Sequence, residues 1–254
     1  MGKNKPELAP CYSGMIYFDD LDQPNEKAGF DKILEECKYD YDYGYRQFKL
    51  KIGRGHKYYP GEKGLQRDIE VTRLVAKNFP DCEILVDGND GFTVDGIIEY
   101  LKGIGDIPLF WLEEPFPETV EDYRKLRAWT KNNGHIKHFA DGEAYTNINL
   151  VYQLADLKLI DVCLADIMGY GFTPWRNLMP VLKEKKILAS PHNWGTMLKQ
   201  FYTVQFVGAY GNTASIEGVT CFSDDVDLSG YKIVNGKCIP PETPGFGIKL
   251  LKKN

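Results

Sequence analysis

The chain has 254 residues, 43% of them hydrophobic, which fits one large α/β domain or two ordinary ones with a full core. A net charge of −5 and a pI near 5.5 argue against a nucleic-acid partner, and the basic cluster Lys183–Lys186 reads as a solvated helix end. No apolar run approaches the ~18–20 residues of a membrane span, the start MGKNKPELAP lacks a signal-peptide core, and the cysteines are dispersed without a CxxC; a cytoplasmic protein with reduced thiols is expected.

Strand-like and helix-like segments alternate along the chain. Residues 11–18 read as a first strand, followed by a helix over 27–43. Gln47–Ile52 alternates apolar and polar residues, and a glycine-rich loop is expected over 53–64. Leu65–Phe79 is amphipathic. Strands are predicted at 84–87, 109–113, 137–140, 159–165, 187–190 and 214–216, with helices at 93–104, 120–131, 148–155, 173–184 and 196–210 between them. Eight βα-like steps in about 210 residues suit a (β/α)8 TIM-type barrel over residues 11–219, after a lead-in of residues 1–10. A doubly wound sheet is the competing fold, but the first turn, FDDLDQPNEK, lacks its glycine-rich phosphate signature. From Thr220 the alternation stops. Tyr231–Ile239 reads as a hairpin around Asn235-Gly236, and residues 220–254 form an arm that a barrel does not need.

The strand ends carry the chemistry. Ile84-Leu85-Val86 ends in Asp87, and the next strand ends in Glu113-Glu114-Pro115. Each acid alone suits a helix cap. Side by side at one rim they repel, and a divalent cation is their natural partner. Lys49 and Lys51, two apart, face one side of their strand; inside a barrel they need carboxylate partners. Later strand ends supply Asp141 and Glu143, then Asp166, then His192 with Trp194, then Glu217. Three carboxylates suit a Mg²⁺-like ion, which binds a substrate carboxylate and stabilises the enediolate formed when the neighbouring carbon loses a proton. Lys51 is the expected base, its pKa lowered by Lys49 and the ion. His192 is a second acid/base oriented by Asp166. Glu217 is expected protonated, donating a hydrogen bond to a substrate carboxylate.

These residues resemble the enolase superfamily, in particular the mandelate racemase/muconate lactonizing enzyme family. The matching segments are Lys49-Leu50-Lys51, Val86-Asp87-Gly88-Asn89, Trp111-Leu112-Glu113-Glu114-Pro115, Gly142-Glu143, Ala165-Asp166, Pro191-His192 and Pro244–Ile248. The resemblance implies Asp87, Glu113 and Glu143 as Mg²⁺ ligands, with Asp141 a competitor for the third place. It also implies Lys51 as base assisted by Lys49, an Asp166/His192 dyad on the opposite face, and substrate contacts from Asn89 and Trp194. Asp166 at the sixth strand end, where related branches place a lysine, points to the mandelate racemase-like branch. The expected reaction is dehydration of a sugar acid, with racemisation of a 2-hydroxyacid and a catalytically incompetent metal-binding barrel as alternatives. The expected partner is a small-molecule carboxylate, not nucleic acid or membrane; a homo-oligomer stays open. Members of the family begin with a capping domain on which the C-terminal arm packs. Here the barrel begins near Cys11, so a fragment, a cap from another chain or a vestigial site are the alternatives.

Overall fold

The structure is a computed structural model that describes residues 8–59, 61–143, 145–221 and 223–251. Eight parallel strands alternate with helices: β1 Cys11–Ile16, α1 Glu26–Tyr43, β2 Gln47–Lys51, α2 Arg54–Lys57, α3 Glu62–Asn78, β3 Glu83–Asp87, α4 Val94–Ile104, β4 Leu109–Glu113, α5 Val120–Asn133, β5 Ile136–Asp141, α6 Ile148–Asp156, β6 Val162–Cys163, α7 Phe172–Lys185, β7 Leu188–Ala189, α8 Met197–Tyr210 and β8 Ile216–Gly218. The sheet runs from β7 through β6, β5, β4, β3 and β2 to β1 and β8. A parallel bridge from Ala189 to Thr213, with the Ala189 N–H donating to the Asn212 carbonyl at 2.9 Å, joins the two ends into a barrel.

Two apolar layers hold it together. The outer one packs helices on strands through residues such as Ile33, Phe48, Val75, Ile97, Leu126 and Trp175. The inner one fills the lower barrel with Tyr12, Leu85, Trp111, Ala140, Val162 and Leu164; the Tyr12 and Trp111 rings meet edge to face at 4.9 Å. Burying such rings contributes about 1.5–3 kcal/mol each and leaves only the upper barrel for polar groups. Register then levels the strand-end groups: Lys51 pairs with Asp87, Asp87 with Glu113, and Glu113 with Ala140.

Several boundaries differ from expectation. The segment 53–64 is not all loop: α2 occupies one turn, and α3 begins at Glu62. The reason is a buried carboxylate, Asp68, whose oxygens accept the Gly53 and Arg54 N–H groups and hold the chain in a turn there. β6 and β7 are shorter than expected, although single hydrogen bonds continue past them, from Leu164 N–H to the Asp141 carbonyl and from His192 N–H to the Leu164 carbonyl. β8 lies two residues later than 214–216, so Glu217 is within the strand. Gly14 of β1 makes room for it: a Cβ there would lie 2.6 Å from Glu217 Oε1.

The arm forms β9 Val226–Asp227, the hairpin β10 Lys232–Val234 and β11 Lys237–Ile239, and β12 Lys249–Leu250. Asn235 and Gly236 take φ of 48° and 70°, as a tight primed turn requires. The arm also touches the barrel. Cys11 N–H donates to the Gly236 carbonyl at 2.7 Å, and Tyr231 stacks on Phe201 of α8 at 3.7 Å. Among the described residues, no helix is long and apolar enough to cross a membrane.

Candidate active site

The helix caps separate structural from functional acids. Thr93 caps α4 and Thr119 caps α5 by accepting N–H groups of Gly96 and Asp122, so neither Asp87 nor Glu113 has that task. Both acids are buried and point into the barrel mouth. Asp87, Glu113 and Glu143 each offer a carboxylate oxygen within 4.8 Å of the others, a set able to hold a metal ion. Asp141, the competitor, is turned aside: Tyr123 donates its hydroxyl to Asp141 Oδ2, and the Gly142 N–H donates to Oδ1 at 2.6 Å. Burial, followed by Glu118 and Glu114, pushes the Asp141 carboxyl well up. Glu114 supports the cluster from behind by accepting the Glu143 N–H at 2.9 Å. Burial and the charges of Glu143 and Asp87 push Glu114 up to about 8.

Lys49 lies beneath these acids, 2.8 Å from Glu113, 3.0 Å from Asp87 and 3.2 Å from Glu217. Lys51 donates to Asp87 Oδ2 at 2.5 Å and to Asn89 Oδ1 at 2.6 Å. Three carboxylates (Asp87, Glu113 and Glu217) thus share two ammonium groups, and Glu143 beside them faces His192 rather than a lysine. Glu113 Oε2 and Glu143 Oε2 are buried with no hydrogen-bond partner among the described residues. Unpaired hard oxygens and a surplus of carboxylates over ammonium groups fit Mg²⁺ or a similar divalent cation.

The expectation for Glu217 is corrected, and Lys51 has a close anionic neighbour. Burial lowers the Lys51 pKa most, but Asp87, Tyr17 and Glu113 together more than offset burial and Lys49, so in the cation-free protein the ammonium is held above its ordinary range. Burial would raise Glu217, but Lys49, His192 and the Asn193 N–H hold it below the usual carboxylate value. Glu217 accepts the Asn193 N–H at 2.9 Å, the role of a carboxylate rather than of a proton donor.

The expected dyad is formed. His192 Nδ1 lies 2.9 Å from Asp166 Oδ2, and Nε2 faces Glu143 Oε1 at 3.2 Å. Asp166 Oδ1 accepts the Met168 and Gly169 N–H groups. Burial would raise Asp166, but His192, Lys199 and these two N–H groups hold it well below its ordinary value.

Three residues at the mouth were not foreseen. Lys199 of α8 donates to Asp166 Oδ2 at 2.8 Å and to the Trp194 carbonyl at 3.3 Å. Tyr17, just after β1, places its ring centroid 5.4 Å from Lys51 Nζ. Arg54 donates to the carbonyls of Lys51 and Tyr17 at 3.1 and 3.4 Å. The run Thr196–Lys199 after a histidine was the only available signal for Lys199. A cavity of about 900 Å³ between α1 and α3, lined by Leu21, Pro24, Tyr59, Leu65 and Ile69, contains none of the predicted site residues.

The enolase C-terminal domain-like family matches residues 32–254. A mutant of galacturonate dehydratase from Geobacillus sp., crystallised with Mg, is 32% identical with a TM-score of 0.93, covering 98% of this chain and 65% of that one. The same enzyme with D-galacturonate and 5-keto-4-deoxy-D-galacturonate is 33% identical with a TM-score of 0.92, covering 97% of this chain and 66% of that one. D-galactarolactone cycloisomerase of Agrobacterium fabrum is 25% identical over 82% of this chain and 55% of its own length. The chain spans less than two thirds of the length of each of these relatives. Fold, strand-end residues and relatives converge: the chain belongs to the enolase superfamily, in its mandelate racemase/muconate lactonizing enzyme family.

Proposed function

We propose that this barrel takes a small sugar acid and removes water across the carbons next to its carboxylate. One observation carries the reading: a lysine and a histidine flank a single acid cluster on opposite sides. Lys51 Nζ meets Asp87, and His192 Nε2 meets Glu143. Asp87, Glu113 and Glu143 would hold Mg²⁺. When bound, the cation would engage the substrate carboxylate, balance the charge that develops as the α-proton leaves, and compete with Lys51 for Asp87.

Lys51 takes the α-proton at Nζ as the free amine, while Asn89 orients that nitrogen. Lys49 stays protonated beneath and fixes Glu113, Asp87 and Glu217. His192, charged and supported by Asp166, gives its Nε2 proton to the departing β-hydroxyl, which leaves as water. The enol that remains tautomerises to a 2-keto-3-deoxy acid. The Geobacillus sp. enzyme supports this reading by its ligands: compared with D-galacturonate, 5-keto-4-deoxy-D-galacturonate lacks the C4 hydroxyl and carries a ketone at C5, beside the carboxylate. If instead His192 returns a proton to the α-carbon, the same flanking pair epimerises the acid.

The test is a panel of sugar acids, D-galacturonate included, incubated with the chain and Mg²⁺ and followed by ketone formation. Lys51→Met and His192→Asn are expected to lower the rate by about 10²–10⁴-fold while keeping Mg²⁺ binding. Epimer formation without ketone selects the racemase alternative. A chain that binds Mg²⁺ and transforms none of the acids sinks the enzymatic reading.

A further inference from the structure

The charged groups account for the carboxylate end of a substrate and for its moving protons. They cannot tell a long sugar acid from a short hydroxy acid, because both present the same carboxylate and α-hydrogen. Beside Lys51 the mouth is different: it carries two aromatic rings. Tyr17 follows β1, and Trp194 follows His192 by two residues. Their ring centroids lie 5.6 Å apart with planes tilted by 43°. Tyr17 is half-buried beside the Lys51 ammonium, whereas Trp194 is 42% exposed at the rim.

Both rings are held at their backbones by cations. Arg54 Nη2 donates to the Tyr17 carbonyl, and Lys199 Nζ donates to the Trp194 carbonyl. Each cation is fixed in turn by a carboxylate, Arg54 by Asp20 at 2.7 Å and Lys199 by Asp166 at 2.8 Å. The ring pair is therefore a preset surface in the mouth, adjoining one proton-transfer group and joined through the chain to the other. The C–H faces of a polyol are apolar, and Tyr and Trp offer broad flat area with only two side-chain torsions to order. Their hydroxyl and indole N–H supply polar edges for the sugar hydroxyls.

We propose that Tyr17 and Trp194 are specificity-determining residues that stack on the carbon chain of the substrate and favour five- and six-carbon sugar acids over three-carbon hydroxy acids. This inference rests on the sugar-acid reading of the same site. The test is calorimetric binding of D-galacturonate and D-glycerate to the Mg²⁺-loaded full chain, as wild type, Tyr17→Ala, Tyr17→Phe and Trp194→Ala. The alanine variants are expected to weaken D-galacturonate about tenfold and D-glycerate less than about twofold, with Mg²⁺ affinity unchanged. Tyr17→Phe keeps the ring and is expected to stay within about threefold of wild type for both acids. If wild type binds D-galacturonate but the alanine variants weaken both acids equally, or neither, the specificity role is wrong and the sugar-acid reading stands. If wild type binds Mg²⁺ but neither acid, the sugar-acid reading falls and this inference falls with it.

Discussion

The barrel buries two ionic clusters at the carboxyl ends of its first strands, and they are built on opposite principles. Arg54 and Arg67 face Asp20 and Asp68: Arg54 binds Asp20 at 2.7 Å and Asp68 at 2.8 Å, and Arg67 binds Asp20 at 2.8 Å. Two cations meet two anions, and the remaining Asp68 capacity is taken by backbone N–H groups of Gly53 and Arg54. The cluster around Lys49 and Lys51 sets three carboxylates against two ammonium groups, adds Glu143 against His192, and leaves glutamate oxygens unpaired. Buried charge is costly unless it is paired. The balanced cluster pairs it within the chain and fixes the backbone beside Lys51. The unbalanced one leaves negative charge that a divalent cation would balance.

The two clusters should break differently. The largest effect is expected at Arg54→Met, which strips Asp68 of its guanidinium and Asp20 of one of two; denaturant unfolding should show a loss of about 3–5 kcal/mol. Arg54→Lys should lose less, because charge is kept and only the fork is lost. In the other cluster, Glu143→Gln removes excess negative charge, so the cation-free protein should lose less than about 0.5 kcal/mol or gain stability. Mg²⁺ sharpens the contrast. At about a hundred times its Kd it should stabilise wild type by about 2.7 kcal/mol, and this increment should vanish in Glu143→Gln, as thermal unfolding would record.

A further effect, read along the pH axis, lies outside both clusters. Burial, with hydrogen bonding and repulsion from Asp19, pushes Glu36 up to about 8 from an ordinary 4.5. Between those values the folded state holds more protons than the unfolded one, so stability falls as pH rises through the window. Glu36→Gln should flatten that part of the pH–stability curve.

Much of this was legible in the sequence because barrel strands are short and their ends are ordered. Asp87, Glu113, Glu143, Asp166 and His192 each follow an apolar run, and the parallel register brings them to one mouth. The balanced cluster was not legible. Asp20, Arg54, Arg67 and Asp68 come from three separate segments, and each reads as an ordinary surface residue until the fold buries it. The protonation state of Glu217 and the close anionic neighbour of Lys51 escaped the sequence for a related reason. Charge type can be read along a chain, but which opposite charge comes nearest is set by side-chain geometry. Asp87 lies 2.5 Å from the Lys51 ammonium, and Lys49 reaches Glu217 at 3.2 Å. Tyr17 escaped notice because it has no ordinary charge and ends a strand whose other residues are core.

The contrast between the clusters is tested most directly by Mg²⁺ titration calorimetry on wild type, Asp87→Asn and Asp68→Asn. We expect one Mg²⁺ per wild-type chain, no measurable binding to Asp87→Asn, and wild-type affinity in folded Asp68→Asn. Mg²⁺ binding that survives Asp87→Asn unchanged would contradict the assignment of the unbalanced cluster as the cation site.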